Sequence, residues 1–285
     1  MSFKILTDSC CDLSAEMAAR LELSVVQLSI EMDGNVYTGE DMSPKELYDH
    51  LRGGKLPKTS AVNPEGWAEK MRPILGSGED LLVLAFSSGL SATYQSAVIA
   101  AEELRDEFPD RKLIVIDTLC ASRGQGLLVH RAAELRDAGK SIEETAAWVE
   151  EHKLQLCHWV TVEDLMHLKR GGRIGAATAV VGTMLNIKPI ITVQDGKVES
   201  IGKARGPKAA DKQLRELVAK SGGIDFSKPF CAAYSGLEDD NLKTFLAESR
   251  DLLCNTEAPI ACIGSVIGTH AGPGAVAVAF FNKKH

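Results

Sequence analysis

Three sets of residues in this chain have types and spacing that can do chemistry. Thr59-Ser60 in "KTSAVNPEGW" and Ser87-Ser88 in "AFSSGLSATYQ" each place two hydroxyls just before a predicted helix. A helix N-terminus offers unpaired N–H groups and a partial positive charge, so added hydroxyls there can hold an anion's oxygens. The same residues also cap helices and form turns. His270 in "GTHAGPGAVAV" lies among Gly268, Gly272, Pro273 and Gly274. Its imidazole can donate to a carboxylate or phosphate, or serve only as a turn histidine. The third set is cationic. Arg173 follows the pair Gly171-Gly172, where it either holds two halves of the fold together or meets a ligand's charged end. Arg205 falls between a strand and a helix, where a solvated surface charge is the default.

These groups leave several chemistries open. An anion or carboxylate binder uses the hydroxyls and His270 as a clasp. A hydrolase uses Ser88 as nucleophile and His270 as base. A phosphate-ligand enzyme uses the helix N-termini. Asp8, Asp12 and Asp117 sit at predicted strand ends, where carboxylates cap helices more often than they bind metal. His50, His130, His152, His158, His167 and His285 stand in helical or terminal contexts and receive no role.

Other patterns are missing. There is no phosphate loop of the G-x-x-x-x-G-K-[ST] type, no H-E-x-x-H and no G-x-S-x-G elbow. "RGQG" at 123–126 has two glycines but not the third of a dinucleotide fingerprint. A formal net charge of −7 leaves no basic surplus for a nucleic-acid partner. The 7 cysteines are odd in number and form no C-x-x-C, as expected for a reducing cytoplasm. No signal-peptide pattern opens the sequence, and no apolar run is long enough to cross a membrane.

The elements that must position these residues alternate. Strands are predicted at 3–8, 24–32, 80–86 and 112–117, with helices at 14–22, 43–52, 63–75, 88–105, 122–137 and 141–153. Ser43 with Glu46 reads as a capping box, and Asn63-Pro64 as a helix entry. Continuous apolar strands between helices imply a parallel sheet covered on both faces. From 158 to 205 short strands and two helical pieces are expected, with Asp195-Gly196 as a hairpin turn. A helix at 208–220, a strand at 229–236, a helix at 238–253 and a strand at 259–266 follow. The fold class is therefore α/β, with two α/β domains. Residues 1–155 form a mainly parallel sheet flanked by helices, and 156–285 a mixed sheet with helices.

"ILTDSCCDLS", "KTSAVNPEGW", "SSGLSATYQSA", "VEDLMHLKRGGRIGAA" with "LNIKPII", "KARGPKAA" and "IGTHAGPGAVAV" occur in this order. Together they resemble the DegV family of bacterial fatty-acid-binding proteins, over about residues 3 to 281. The resemblance implies two α/β domains holding one long-chain fatty acid. It implies a carboxylate gripped by Thr59, Ser60, Ser87, Ser88 and His270, the last on a mobile glycine-permitted loop that closes over the acid. It further implies that Arg173 and Arg205 help engage a separate dihydroxyacetone-kinase-like fatty-acid kinase. That kinase makes an acyl-phosphate for phospholipid synthesis. The chain itself is then a non-catalytic carrier without cofactor or metal, a cytoplasmic monomer with transient membrane contact. Two departures stand out: Ala61-Val62 replaces the family's usual Gln-Pro, and "DSCCD" replaces its Asp-Ser-Thr pattern.

Overall fold

The computed structural model describes residues 3–39, 41–175 and 186–283. In chain order the first half contains β1 (Phe3–Asp8), α1 (Ala15–Arg20), β2 (Leu23–Val26), β3 (Ser29–Met32), β4 (Asn35–Thr38), α2 (Pro44–Arg52), β5 (Lys58–Ser60), α3 (Pro64–Gly76), β6 (Asp80–Ala85), α4 (Thr93–Glu107), β7 (Leu113–Asp117), α5 (Ser122–Asp137) and α6 (Ile142–His152). The second half contains β8 (Leu156–Thr161), α7 (Met166–Arg170), β9 (Ile187–Gln194), β10 (Lys197–Arg205), α8 (Pro207–Lys220), β11 (Phe230–Tyr234), α9 (Asp240–Glu248), β12 (Ile260–Cys262), α10 (Ser265–Ala271) and β13 (Val276–Phe281).

The apolar runs of the first half pair as expected into a parallel sheet of order β2-β1-β6-β7. Alternate residues feed two cores. Leu6, Val83 and Ala85 pack with Trp67, Met71 and Leu104, while Ile5, Leu82 and Leu84 pack with Leu128, Val129 and Val149. The chain leaves β1 toward one edge of the sheet and β6 toward the other. The crevice beyond the carboxyl ends of these two neighbours is a topological switch point, where open α/β sheets bind ligands. Asp8 spans it: its carboxylate accepts the Phe86 N–H at 2.7 Å and the Cys10 N–H at 3.0 Å. Burial still pushes the Asp8 carboxyl up to about 6.

The second half is a six-stranded mixed sheet of order β10-β9-β8-β13-β11-β12, in which only β11 and β12 pair in parallel. The hairpin turn has Asp195 at φ 47° and Gly196 at φ 78°, the left-handed pair that a two-residue turn needs. Along β13 the alternation is functional. Val276, Val278 and Phe280 join Leu214, Leu242 and Phe245 in a core under α8 and α9. The smaller Ala277 and Ala279 line open space, together with Val278 between them.

Four expectations are corrected. The run 24–32 is two strands, because the Ser9 hydroxyl takes the Leu28 N–H at 3.0 Å and ends the pairing along β1. β3 instead joins β4 and β5 in a small antiparallel sheet. The helix expected from Ser88 starts at Thr93. The predicted strand 259–266 stops at Cys262, and Ser265 begins a helix. One of the two helical pieces expected between 158 and 205 is α7; residues 176–185 lie outside the described residues.

Candidate ligand-binding cavity

Where the carboxyl ends of β6 and β7 face the second sheet lies a cavity of ≈ 270 Å³. An apolar cavity of about 150 Å³ is enough to admit benzene, so this one is large enough for a sizeable apolar group. Val160, Ile191, Val193, Val198, Ala277 and Ala279 supply the sheet side. Leu28, Phe86, Leu90, Val266 and Ile267 supply much of the other.

Thr59 and His270 meet at one wall. Thr59 ends the chain's approach on β5, which is pinned by pairing of Thr59 with Ile30 on β3. The Thr59 hydroxyl and His270 Nε2 are hydrogen-bonded at 2.7 Å, and both residues line the cavity. His270 is carried by the last turn of α10, which corrects its expected place on a mobile glycine loop. The nearby glycines serve close approach. A Cβ on Gly268 would lie 2.4 Å from the Tyr48 hydroxyl, and one on Gly171 would lie 2.1 Å from His270 Nδ1. Tyr48 in turn donates to the Ile263 carbonyl at 2.9 Å, clamping α2 against the entry to α10. Burial, then the positive charge of Arg173 and the neighbouring His167, push the His270 pKa down to about 4. The ring is thus neutral near pH 7, with one N–H to donate. Arg173 lines the cavity too and donates to the carbonyls of Leu90, at 3.1 Å, and Gly171. Its cation stands next to any anion held at Thr59 and His270.

The other expected residues are placed differently. Ser87 is buried, and its hydroxyl donates to the Gly196 carbonyl at 2.6 Å. It fastens the first sheet to the β9–β10 turn. Gly89 permits this close approach, since a Cβ there would lie 2.5 Å from the Gly196 oxygen. Ser60 and Ser88 are exposed and do not line the cavity. The Ser88 N–H, not its hydroxyl, is engaged, by Asp117 at 3.2 Å. The serine of this run that does line the cavity is Ser91, whose hydroxyl bonds Thr93 Oγ1 at 2.8 Å. Arg205 is exposed at the end of β10, away from the lining. Ala61, at the position of the family's usual glutamine, is part of the lining beside Thr59.

Sequence reasoning missed a second polar wall. Ser122, Arg123 and Gly124 open α5 and line the cavity with His158 of β8. Arg123 donates to the Asp12 carbonyl at 2.8 Å, and the Ser122 hydroxyl donates to the Asp12 carboxylate. Burial nonetheless raises the Asp12 carboxyl to about 7. The two glycines of "RGQG" were the available signal. A Cβ on Gly124 would overlap His158 Nε2 at 1.7 Å, and one on Gly126 would meet the Cys11 carbonyl oxygen at 2.5 Å.

A model of the family described as "Uncharacterised protein, DegV family" matches residues 2–283. The chain belongs to the DegV family. A DegV domain-containing protein of Clostridium perfringens is 39% identical over 282 residues, covering 98% of this chain and 97% of the relative. Among solved structures, a DegV family protein of Thermus thermophilus described by its fatty acid binding aligns with TM-score 0.86 and 36% identity, over 98% of this chain and 99% of that one. A stearic-acid-binding protein of Eubacterium ventriosum aligns with TM-score 0.87 and 25% identity, over 97% of each chain. A DegV family protein of Ruminococcus gnavus, refined with vaccenic acid, aligns with TM-score 0.82 and 26% identity, over 98% and 99%.

Proposed function

We propose that this DegV protein binds one long-chain fatty acid, with the acyl chain in the cavity and the carboxylate at Thr59, His270 and Arg173. The observation that carries this is the hydrogen-bonded Thr59–His270 pair at the wall of a largely apolar cavity. The energetics favour a lipid. About 14 buried methylenes contribute roughly 11 kcal/mol before ordering costs. Each polar contact adds about 1 kcal/mol. Affinity therefore comes from the tail, and orientation from the clasp. A carboxylate moved out of water needs such donors, or it takes up a proton instead. Ser91 completes the clasp, and Ser87 supports it from behind through Gly196. Residues 1–155 act as the domain that supplies the clasp loops, and 156–285 as the domain that supplies the chain's sheet face and His270.

The bound acid is presented to a separate dihydroxyacetone-kinase-like fatty-acid kinase, with Arg173 at the head and exposed Arg205 at the docking surface. The chain is a carrier, not a catalyst, and works as a cytoplasmic monomer. The hydroxyl hydrogen-bonded to His270 belongs to Thr59, which disfavours Ser88 as the nucleophile of a hydrolase. Lipid extraction from freshly purified protein, followed by mass analysis, tests the core claim. One long-chain fatty acid per chain is expected. Protein that carries none, and takes up none when it is added, would end the proposal. Acyl-phosphate formation by the kinase and ATP, dependent on the loaded protein, tests presentation.

A further inference from the structure

His270 stands at the head of the cavity on a helix that cannot hold its own place. α10 runs only from Ser265 to Ala271, and its N-cap, Gly264, makes no side-chain bond. Helices shorter than about 12 residues are marginal by themselves. Gly268, in the middle of α10, weakens it further. His270 is nevertheless bonded to Thr59 at 2.7 Å. Such a bond needs both side chains held in register, so the position of α10 must come from its neighbours.

Buried hydroxyls provide it at both ends. Tyr48 of α2 is fully buried, and its hydroxyl donates to the Ile263 carbonyl at 2.9 Å, just ahead of α10. The same ring lies against the middle of the helix, where a Cβ on Gly268 would fall 2.4 Å from the hydroxyl oxygen and 2.8 Å from Cζ. The Ser265 hydroxyl donates to the Met42 carbonyl at 3.0 Å. At the far end the Ser235 hydroxyl donates to the Gly272 carbonyl at 2.6 Å and accepts the Ala275 N–H at 2.8 Å.

The order of these contacts matters. Met42, Tyr48 and Thr59 belong to one stretch of the first half, and Ser265, Ile263 and His270 to one stretch of the second. The two stretches meet at Met42–Ser265, at Tyr48–Ile263 and at Thr59–His270. From Ile263 to His270 the helical rise is on the order of 10 Å. A displacement at the Tyr48 end is carried along that rod to the imidazole.

We propose that Tyr48 is a positioning residue for the head site. By seating α10 through Ile263 and Gly268 it sets the place of His270, and with it the preference for an acid head over an uncharged one. Ser235 seats the other end. Tyr48 itself is not part of the cavity lining. The inference rests on the fatty-acid reading above and names a residue that this reading does not use.

Two measurements on delipidated full-length protein test it. The first needs no lipid. It is long-range proton–nitrogen NMR of the histidine rings, with His270 assigned by its loss in His270→Gln. Tyr48→Phe keeps the ring and removes the hydroxyl. It should move or broaden the His270 signals and leave those of His152, on α6, in place. The second is competition against a fluorescent fatty acid. Octadecanoic acid and octadecanol share a tail and differ in the head, so the ratio of their affinities reads the head alone. Tyr48→Phe should lower that ratio about fivefold, with octadecanol affinity within about twofold of wild type. In Thr59→Val, where His270 has already lost its partner, adding Tyr48→Phe should lower the ratio by less than about twofold. Ser235→Ala should move both readouts in the same direction, and it serves if Tyr48→Phe does not fold. Variants that lose stability but keep the His270 signals and the ratio overturn the proposal, since the hydroxyls then only support the core. A full fivefold loss in the Thr59→Val background also overturns it, because Tyr48 would then act by another route. Equal binding of acid and alcohol by wild type overturns the head preference itself. If the His270 signals move in Tyr48→Phe but wild type binds neither compound, the seating of His270 stands and the fatty-acid reading falls.

Discussion

His270 and His158 are two versions of one arrangement, and their difference is instructive. Each ring lies against a glycine, Gly171 for His270 and Gly124 for His158. Each is pushed down to about 4, chiefly by burial. Yet His270 has a hydroxyl partner in Thr59, and His158 has none. His270 is fixed by a side-chain hydrogen bond, while His158 is fixed by close packing, with both ring nitrogens buried. Preorganisation at the head keeps the cost of orienting a carboxylate low.

The glycines offer the largest way to break this comparison. Gly124→Ala drives a methyl into the buried His158 ring, at 2.4 Å from Cδ2 as well as 1.7 Å from Nε2. Overpacking of this kind should cost about 3 kcal/mol in chemical denaturation. Gly171→Ala meets a ring that is only half-buried and can turn aside. It should cost about 1 kcal/mol and break the Thr59–His270 bond instead. Equal costs would mean that the two rings are equally confined.

Acid sharpens the contrast. Below the ordinary histidine range the unfolded chain takes up a proton that buried His158 refuses until about pH 4. Stability is therefore fully present above about 6.5 and is lost as pH falls toward 4. Asp12, raised to about 7, and Asp8, raised to about 6, work in the opposite sense, since their folded forms hold protons that the unfolded chain releases. The wild-type profile mixes both signs. The difference between wild type and His158→Leu isolates one of them, and it should shrink by about 2 kcal/mol between pH 7 and 4.5 in urea titrations. A difference that does not change with pH would place a proton-accepting partner on His158.

What the sequence disclosed follows the range of the forces involved. Local chemistry was legible. Ser43 and Glu46 form their capping box, Asn63 caps α3 through the Gly66 N–H, and Asp195-Gly196 turns the hairpin. The buried parallel strands were legible from their apolar runs. The second wall was not. Nothing in "LCHWVT" shows how His158 is packed, because that is decided by Gly124 and Ala279, distant in sequence. Nor was the role of Ser87, whose partner carbonyl is 109 residues away. His270 was expected on a glycine loop but stands in α10, since Gly268 weakens a helix pattern in order to admit Tyr48.

Thr59→Val tests the head wall at a smaller scale. It keeps the shape, removes the hydroxyl and leaves His270 Nε2 without its partner. Fatty-acid affinity should fall about fivefold, near 1 kcal/mol, with little change in stability. Ser91→Ala should act in the same direction and more weakly. If Thr59→Val binds as well as wild type, the carboxylate is held elsewhere.

The smallest effects are expected at Ser60 and Ser88, and they bear on the same contrast from outside the cavity. Both are exposed, and neither lines the space where a carboxylate would sit. At Ser88 the backbone N–H meets Asp117, a contact that alanine retains. Ser60→Ala and Ser88→Ala should therefore change stability by less than about 0.5 kcal/mol. Affinity, measured by the same fluorescent competition, should stay within about twofold of wild type, a change of under about 0.5 kcal/mol. The hydroxyls that matter would then be those with a fixed direction: Thr59 by its bond to His270, Ser91 by its bond to Thr93, and Ser87 through the turn it fastens. A tenfold loss in Ser88→Ala would mean that the 88–92 segment folds inward when the ligand enters. The head wall would then be assembled on binding, and its contrast with the firmly packed His158 ring would disappear.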